Sequence, residues 1–318
     1  APPEIYTLSL HDALPILPAG KKIVRQFHST PFAIANGDEK VISAIVSDTL
    51  PKLVIAQHQE RYFPTARLVP NIIPLDDTQY RPLDENCEHA IFFAPSVTNS
   101  AWYTVDPRLR WDTKGYPETL KVLSRVKSSF PGISLNVRTG IPHRQCLHER
   151  RRSILSVDDL VTGSYHLSSL EGLAQGVPTF AFLDARTQSV LYSLTGADHL
   201  PWVNCTLASA ELVMLELLRD QGLRQEIALY SRKWFEMFWR EQDMVQHYVN
   251  VYKDLFDNPE SFAMPRFDLN DKITYWNVHR RHDLEWLVRK QQSLSPTKPF
   301  VSFVLNIIDR LVHKCQKR

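Results

Sequence analysis

The sequence is poor in the residues on which several common sites depend. It has 10 glycines in 318 residues, and it contains no glycine-rich loop that could cradle a phosphate. Its four cysteines are far apart and form no C-x-x-C pair, which argues against a disulfide framework or a zinc site and favours a reduced, cytoplasmic setting. They are Cys87, Cys146, Cys205 and Cys315.

Strong net charge and long apolar runs are also lacking. A net charge of +2 gives no overall attraction to nucleic acid. No apolar run approaches the roughly 18 residues of a membrane-spanning helix. The adjacent pairs Asp76-Asp77 and Asp158-Asp159 would point to opposite faces of a strand. We therefore expect no nucleic-acid partner, no membrane span and no metal site.

The sequence does contain a regular alternation of apolar strands and amphipathic helices. Strands are predicted at 90–94, 133–137, 154–157 and 179–183, and helices between and after them at 113–126, 142–152, 169–175, 209–219 and 223–239. This spacing predicts an α/β fold with a doubly wound parallel sheet. Strands at 21–28 and 52–56, with a helix at 40–47, predict part of a second, Rossmann-like domain.

Residues 158–184 hold the most specific pattern. Ser168 is predicted to cap a short helix, which Gly176 ends and Pro178 prevents from continuing. A helix that begins at the carboxyl end of a parallel strand presents free amides to a phosphate. Glu171 stands three residues after Ser168, the spacing of a capping box, so a purely structural role for this carboxylate is one interpretation.

The other interpretation comes from a resemblance. The segment SSLEGLAQGVPTFAF at 168–182 resembles the donor-binding segment of GT-B glycosyltransferases, the superfamily of glycogen synthase and of bacterial lipopolysaccharide and mannosyl transferases. Two glutamates precede the Gly-x-Pro and strand in that family, and Glu171 matches the second, which implies that it holds the ribose hydroxyls. Gly163 occupies the place of the first, so the sugar-contacting carboxylate is missing and the stereochemical outcome stays open.

The resemblance implies further donor-binding residues. Lys114-Gly115, preceded by Arg108 and Arg110, would clamp the diphosphate together with one of these arginines, of which we name Arg110. The alternative is a solvated loop with a lysine at a helix start. His28, at a predicted strand end, would be the catalytic histidine of the first domain. The turn before the Glu171 helix would bind the phosphates as well, although a structural or surface role for its histidine remains open; its residues are Tyr165, His166, Ser168 and Ser169.

We therefore expect a hexosyltransferase that moves a sugar from a nucleotide-sugar donor to a hydroxyl of a glycan or lipid-linked acceptor, in cell-surface polysaccharide or lipopolysaccharide assembly. The nucleotide sugar is a substrate, so no cofactor is expected, and no metal, because the Asp-x-Asp motif of GT-A transferases is absent. Two alternatives are a nucleotide-sugar epimerase of the same fold and a non-catalytic binding or scaffold protein.

The chain is predicted to have four parts. Residues 1–16 resemble translated adapter sequence and are interpreted as a non-native leader; 17–70 would be the remnant of an acceptor-binding domain, 71–256 the donor domain, and 257–318 a helical tail. Such a truncated chain would bind nucleotide without transferring sugar. Residues 298–318 combine apolar positions at helical spacing with basic residues, which indicates either a packing helix or peripheral contact with the inner membrane face.

Overall fold

The computed structural model of the protein describes residues 5–8, 22–35, 38–57, 62, 63, 65–83, 88–95 and 114–263. In these residues the strands form two sheets, one of four strands and one of five, and every neighbouring pair is parallel. The predicted α/β class with parallel sheets is confirmed. The predicted tail at 257–318 lies mostly outside the described residues, including all of 298–318.

The first sheet has the order β1-β2-β3-β4. Its two inner strands were predicted, whereas β4 is too short to show a pattern in the sequence. β1 lies inside the stretch interpreted as a leader, and it pairs with β2 from Ile5 opposite Lys22. The elements are β1 (Ile5–Leu8), β2 (Lys22–Phe27), α1 (Pro31–Ile34), α2 (Glu39–Ser47), β3 (Lys52–Ile55) and β4 (Arg67–Val69).

The second sheet has the order β6-β5-β7-β8-β9. Four of its strands were predicted within a few residues. Its strands are short, and most of their residues are apolar, because helices cover both faces of the sheet. The strands are β5 (Glu88–Phe93), β6 (Ser134–Val137), β7 (Ser153–Val157), β8 (Thr179–Ala181) and β9 (Val203–Asn204).

Helices on the two faces of the second sheet enclose two apolar cores. One core joins the sheet to α3 and α7 through residues such as Leu123 and Met214. The other joins it to α5 and α8 through residues such as Leu170 and Trp234. No helix in the described ranges is long and apolar enough to cross a membrane. The helices are α3 (Tyr116–Ser129), α4 (His143–Arg152), α5 (Leu167–Ala174), α6 (Ala185–Thr195), α7 (Leu207–Arg219), α8 (Gln221–Phe238) and α9 (Glu241–Asp257).

The last α-helix of the described residues, α9, packs on the first sheet. Leu255, together with Tyr248 and Val251, contacts the buried face of β2, β3 and β4. The hydroxyl of Tyr248 donates to the carbonyl of Pro70, and the indole of Trp239, just before α9, donates to the carbonyl of Asn71. The end of the chain's described part is thereby tied to the segment that follows β4.

Candidate functional site

The site lies at the carboxyl edge of the second sheet, where the strand order changes direction. Counted from β5, the order is second, first, third, fourth, fifth, so the chain leaves β5 and β7 towards opposite sides. In doubly wound sheets a crevice opens at this switch point, and ligands bind there. Lys114 stands just before α3, the helix that follows β5, and Asp158 is the first residue after β7.

Asp158 is the hub of a buried polar cluster. Its Oδ1 accepts from the Lys114 ammonium at 2.7 Å and from the Ser168 hydroxyl at 2.6 Å, and its Oδ2 accepts from the His166 amide at 2.7 Å. Lys114 also donates to Ser168 Oγ at 2.7 Å. The Lys114 side chain is 5 % exposed, so the interpretation of this lysine as part of a solvated loop is wrong.

The backbone before α3 brings Lys114 to this position. Lys114 and Gly115 have φ values of +59° and +55°, the left-handed region that glycine adopts without a steric cost. A Cβ on Gly115 would lie 2.7 Å from Cγ1 of Val161, so the absence of a side chain also permits close approach to the loop after β7. Gly115 therefore contributes packing, and Lys114 contributes charge.

Electrostatics keep Asp158 ionised. Burial alone would raise the pKa of its carboxyl, but the Lys114 ammonium, the His166 ring and their hydrogen bonds outweigh burial and hold that pKa well below the usual range. The His166 ring nitrogen Nδ1 lies 3.5 Å from Asp158 Oδ1. His166 also serves as the N-cap residue of α5 through its backbone, which combines the structural role with a place at the edge of the cluster.

Glu171 is not part of a capping box. The N-cap of α5 is His166 rather than Ser168, and the helix starts at Leu167, so the predicted cap geometry is wrong by two residues. The Glu171 carboxylate instead turns towards α4. Its Oε2 accepts from Arg150 Nη1 at 2.6 Å, and its Oε1 accepts from His143 Nε2 at 2.6 Å.

The two partners of Glu171 differ in their access to solvent. The side chain of Arg150 is 1 % exposed and that of Glu171 is 3 % exposed, whereas that of His143 is 59 % exposed. Arg150 is further held by the ring of Phe92, 5.1 Å from its guanidinium carbon, and by Cys146 Sγ at 3.4 Å. Burial opposes ionisation of Glu171, but the Arg150 charge and the hydrogen bonds outweigh burial and lower the pKa of this carboxyl.

Two of the predicted donor-binding hydroxyls are engaged elsewhere. Tyr165 is fully buried, and its hydroxyl donates to the carbonyl of Ala56, just after β3. Ser169 is also fully buried, and its hydroxyl accepts from the indole of Trp202. Tyr165 therefore joins the two sheets at their carboxyl edges, and any ligand contact with Ser169 would require Trp202 to move.

His28 follows the carboxyl end of β2 and lies on the surface. Its Nε2 is 3.0 Å from Nε2 of Gln26, and partial burial lowers the pKa of the ring. The neighbouring strand β3 ends beside Ala56, the partner of Tyr165, and Arg186 at the start of α6 donates to the carbonyl of Gln57. The edge that carries His28 thus faces the edge that carries the Asp158 cluster, and its catalytic role stays a prediction.

Gly163 occupies a position that has no room for a side chain. It has a φ of +80°, and a Cβ there would lie 2.9 Å from Asp184 Oδ2. A side chain at 163 would collide with Asp184, which caps α6 by accepting from the Thr187 amide at 2.7 Å. Arg110, the other predicted diphosphate ligand, lies outside the described residues.

Sequence reasoning missed Arg150, His143 and Asp158. Arg150 belongs to the basic run Arg150-Arg151-Arg152, and such a run usually indicates a solvated face, but Arg150 is buried. A signal existed: His143 and Arg150 are seven residues apart on one helix, a spacing that places both on the same face. In the described residues no group of three or more metal-ligating side chains comes together.

No protein-family model and no curated protein sequence matches this chain. Solved structures do resemble it. TarM from S. aureus, in a complex that contains UDP, superposes with a TM-score of 0.52 at 11 % identity, over 74 % of this chain and 51 % of TarM. HepE from Anabaena, in complex with UDP and glucose, superposes with a TM-score of 0.50 at 12 % identity, over 74 % of this chain and 72 % of HepE.

These structural similarities concern the fold of the chain. The chain spans about half the length of TarM, 51 %, and both neighbours are GT-B glycosyltransferases. Two parallel α/β sheets whose carboxyl edges face each other, with a last helix that returns to the first sheet, agree with that architecture. The fold of this chain is therefore that of the GT-B glycosyltransferases.

Proposed function

We propose that the protein is a glycosyltransferase that binds a nucleotide-sugar donor at the carboxyl edge of the second sheet and transfers its sugar to a hydroxyl acceptor. The observation that carries the proposal is the placement of Glu171. It is a buried, ionised carboxylate on the helix that starts at the switch point, in the sheet position where open α/β folds bind nucleotides.

Two polar side chains of α5 lie on one face of the helix and would contact different parts of a nucleoside diphosphate. Ser168 lies at the helix start beside Lys114, and Glu171 follows three residues later, about 4.5 Å further along the axis on the same face. The helix start and the lysine suit phosphate oxygens, whereas a carboxylate accepts hydrogen bonds from ribose hydroxyls. Tyr165, His166, Ser169 and Gly115 would shape this region rather than all contact the donor.

The acceptor would approach from the first sheet. His28 follows β2 at the edge that faces the donor site, and a histidine with a lowered pKa is neutral at physiological pH and able to take a proton. Arg110 completes the proposed diphosphate clamp. Cell-surface polysaccharide or lipopolysaccharide assembly is the proposed setting, on the basis of the resemblance of the Glu171 segment to those transferases.

A second candidate, nucleotide binding without sugar transfer, is favoured by Gly163. The position that carries a sugar-contacting carboxylate in the resembling family has no side chain here, and Asp184 blocks one. Release of nucleoside diphosphate distinguishes a glycosyltransferase from a nucleotide-binding protein. A transferase releases free nucleoside diphosphate when donor and acceptor hydroxyls are both present, and a binding protein does not.

The proposal is tested by calorimetric titration with UDP and GDP. We expect Glu171→Gln to weaken binding by about tenfold or more, because hydrogen bonds to a charged group are worth about 1.5–3 kcal/mol. The matched control is Glu226→Gln, an exposed glutamate on α8, which should bind as the parent does. Equal affinity of the parent and Glu171→Gln would contradict the proposal.

Loss of the carboxylate also leaves the buried Arg150 without its anionic partner, so Glu171→Gln can lose affinity by unfolding. The double variant Arg150→Gln/Glu171→Gln removes both charges and keeps two amides that can hydrogen-bond. If the double variant melts like the parent and still binds weakly, the carboxylate itself contacts the nucleotide. If it melts like the parent and binds normally, the proposed role of Glu171 is wrong.

A further inference from the structure

The carboxylate of Glu171 has one buried partner and one exposed partner. Arg150 occupies Oε2 from inside the protein, with its side chain 1 % exposed and packed over Phe92. His143 occupies Oε1 from outside, at the first position of α4, with its side chain 59 % exposed. Glu171 itself is 3 % exposed, so its exposed partner His143 marks the side from which a ligand would approach this carboxylate.

We propose that the His143 imidazole is a displaceable internal ligand, which occupies the hydroxyl-binding oxygen of Glu171 and leaves when the vicinal diol of a ribonucleotide binds. The proposal rests on the proposed function of Glu171. It assigns Oε1 as the atom that accepts the ligand hydroxyls and Oε2 as the atom that the protein keeps for Arg150.

The energetics of exchange favour this division. The His143 side chain is 59 % exposed, so water can replace its hydrogen bond when it withdraws, and the ligand hydroxyls replace that bond on Glu171. Withdrawal of Arg150 would strand a buried guanidinium, which is strongly unfavourable. Arg150 also keeps Glu171 ionised while His143 is away, so the incoming hydroxyls meet a charged acceptor that is already in place.

Displacement of His143 by a ligand is expected to couple ligand binding to the release of a proton. The hydrogen bond to Glu171 raises the pKa of His143, against the opposing effects of burial and of Arg150. The other titratable groups beside the pair are Tyr80 and Cys146, and burial raises the pKa of both, so they stay neutral in the same range. When the diol displaces His143, its pKa returns towards the ordinary value of about 6.5, and a proton is released.

The test is calorimetry of UDP and GDP binding to the full chain at pH 6 and pH 8. We expect His143→Ala to bind about threefold to tenfold more tightly than the parent at pH 6, because the competing partner is gone. The gain should shrink at pH 8, where less of the imidazole is protonated. His148→Ala, an exposed histidine on the same helix, is the matched control and should behave as the parent does.

Proton counting distinguishes this mechanism from a purely structural role. Titrations in two buffers of different ionisation enthalpy should show more proton release for the parent and His148→Ala than for His143→Ala. If the parent binds but His143→Ala binds equally or more weakly at pH 6, His143 is not displaced and the inference is wrong. If neither protein binds UDP or GDP, the proposed function itself is contradicted.

Discussion

The two buried ion pairs beside α5 use similar groups in different ways. Asp158 accepts hydrogen bonds from Lys114, Ser168 and the His166 amide. Its side chain is 1 % exposed, and that of its charged partner Lys114 is 5 % exposed. Glu171 is almost as buried, but one of its two partners, His143, is 59 % exposed. Asp158 thus has a buried charged partner, whereas one partner of Glu171 is exposed to solvent.

The difference separates a positioning role from a binding role. A carboxylate held by several protein donors fixes the shape of a loop, and Asp158 joins the segment before α3, the end of β7 and the start of α5. A carboxylate with one exposed partner can exchange that partner for a ligand that supplies hydrogen bonds in its place. The burial of an ionised group alone does not distinguish these roles, because both carboxyls have a lowered pKa.

The largest expected effect is at the buried partner of Glu171. Arg150→Met leaves a buried carboxylate with only the exposed His143, and we expect the free energy of unfolding to fall by about 3–5 kcal/mol. Urea denaturation measures the change. Arg125→Met, which breaks an exposed pair with Glu211, is the control and should cost about 0–1 kcal/mol. A small loss for Arg150→Met would mean that Glu171 does not depend on this cation.

Asp158→Asn should have a smaller effect, because asparagine keeps one acceptor oxygen, which can serve either Ser168 or the His166 amide. We expect a loss of about 1.5–3 kcal/mol. Since the folded-state pKa of Asp158 is depressed, its charge stabilises the protein above the unfolded value of about 4 and the contribution is lost as pH falls below it. The variant should therefore lose less stability between pH 5 and pH 3 than the parent. Equal acid sensitivity would contradict the assignment; Asp243→Asn, in an exposed pair, is the control.

The smallest effects are expected from two glycine substitutions, one beside the Lys114–Asp158 pair and one beside the Arg150–Glu171 pair. Gly115→Ala places a Cβ 2.7 Å from Val161 at a positive φ and should cost about 1–2 kcal/mol. Gly172→Ala places a Cβ 2.5 Å from Thr179 Oγ1 and 3.4 Å from Arg150 Cδ, but helix propensity returns up to about 1 kcal/mol. We expect thermal unfolding to show the larger loss for Gly115→Ala, and the reverse order would mean that the Arg150 side is the less tolerant of strain.

Much of the fold is predictable from local patterns. The apolar runs of β5, β6, β7 and β8 and the periodicity of α3, α4, α7 and α8 identify the elements to within a few residues, because strand and helix periods differ. Gly176 was correctly predicted to end α5. By contrast, α6 was not predicted, since its apolar positions are few and only Thr187 and Leu191 are buried.

The candidate site was predicted only in part. Glu171 and Lys114 were found through one motif and one dipeptide, whereas their partners Arg150 and Asp158 lie 21 and 44 residues away in the chain. Nothing local distinguishes Arg150 from Arg151 and Arg152. Its place on the inner face of α4 depends on how that helix packs against β5 and α5.

The sequence by itself determines which segments are strands, where α5 ends, and that a carboxylate stands one turn into that helix, because these follow from periodicity, glycine and chain spacing. The tertiary structure alone decides which charges meet. It shows that Glu171 turns to α4 rather than to its own helix cap, and that one of its partners is buried and the other exposed. The physical reason is that burial and pairing are properties of packed elements, and ion pairs between distant segments exist only once the sheet brings their ends together.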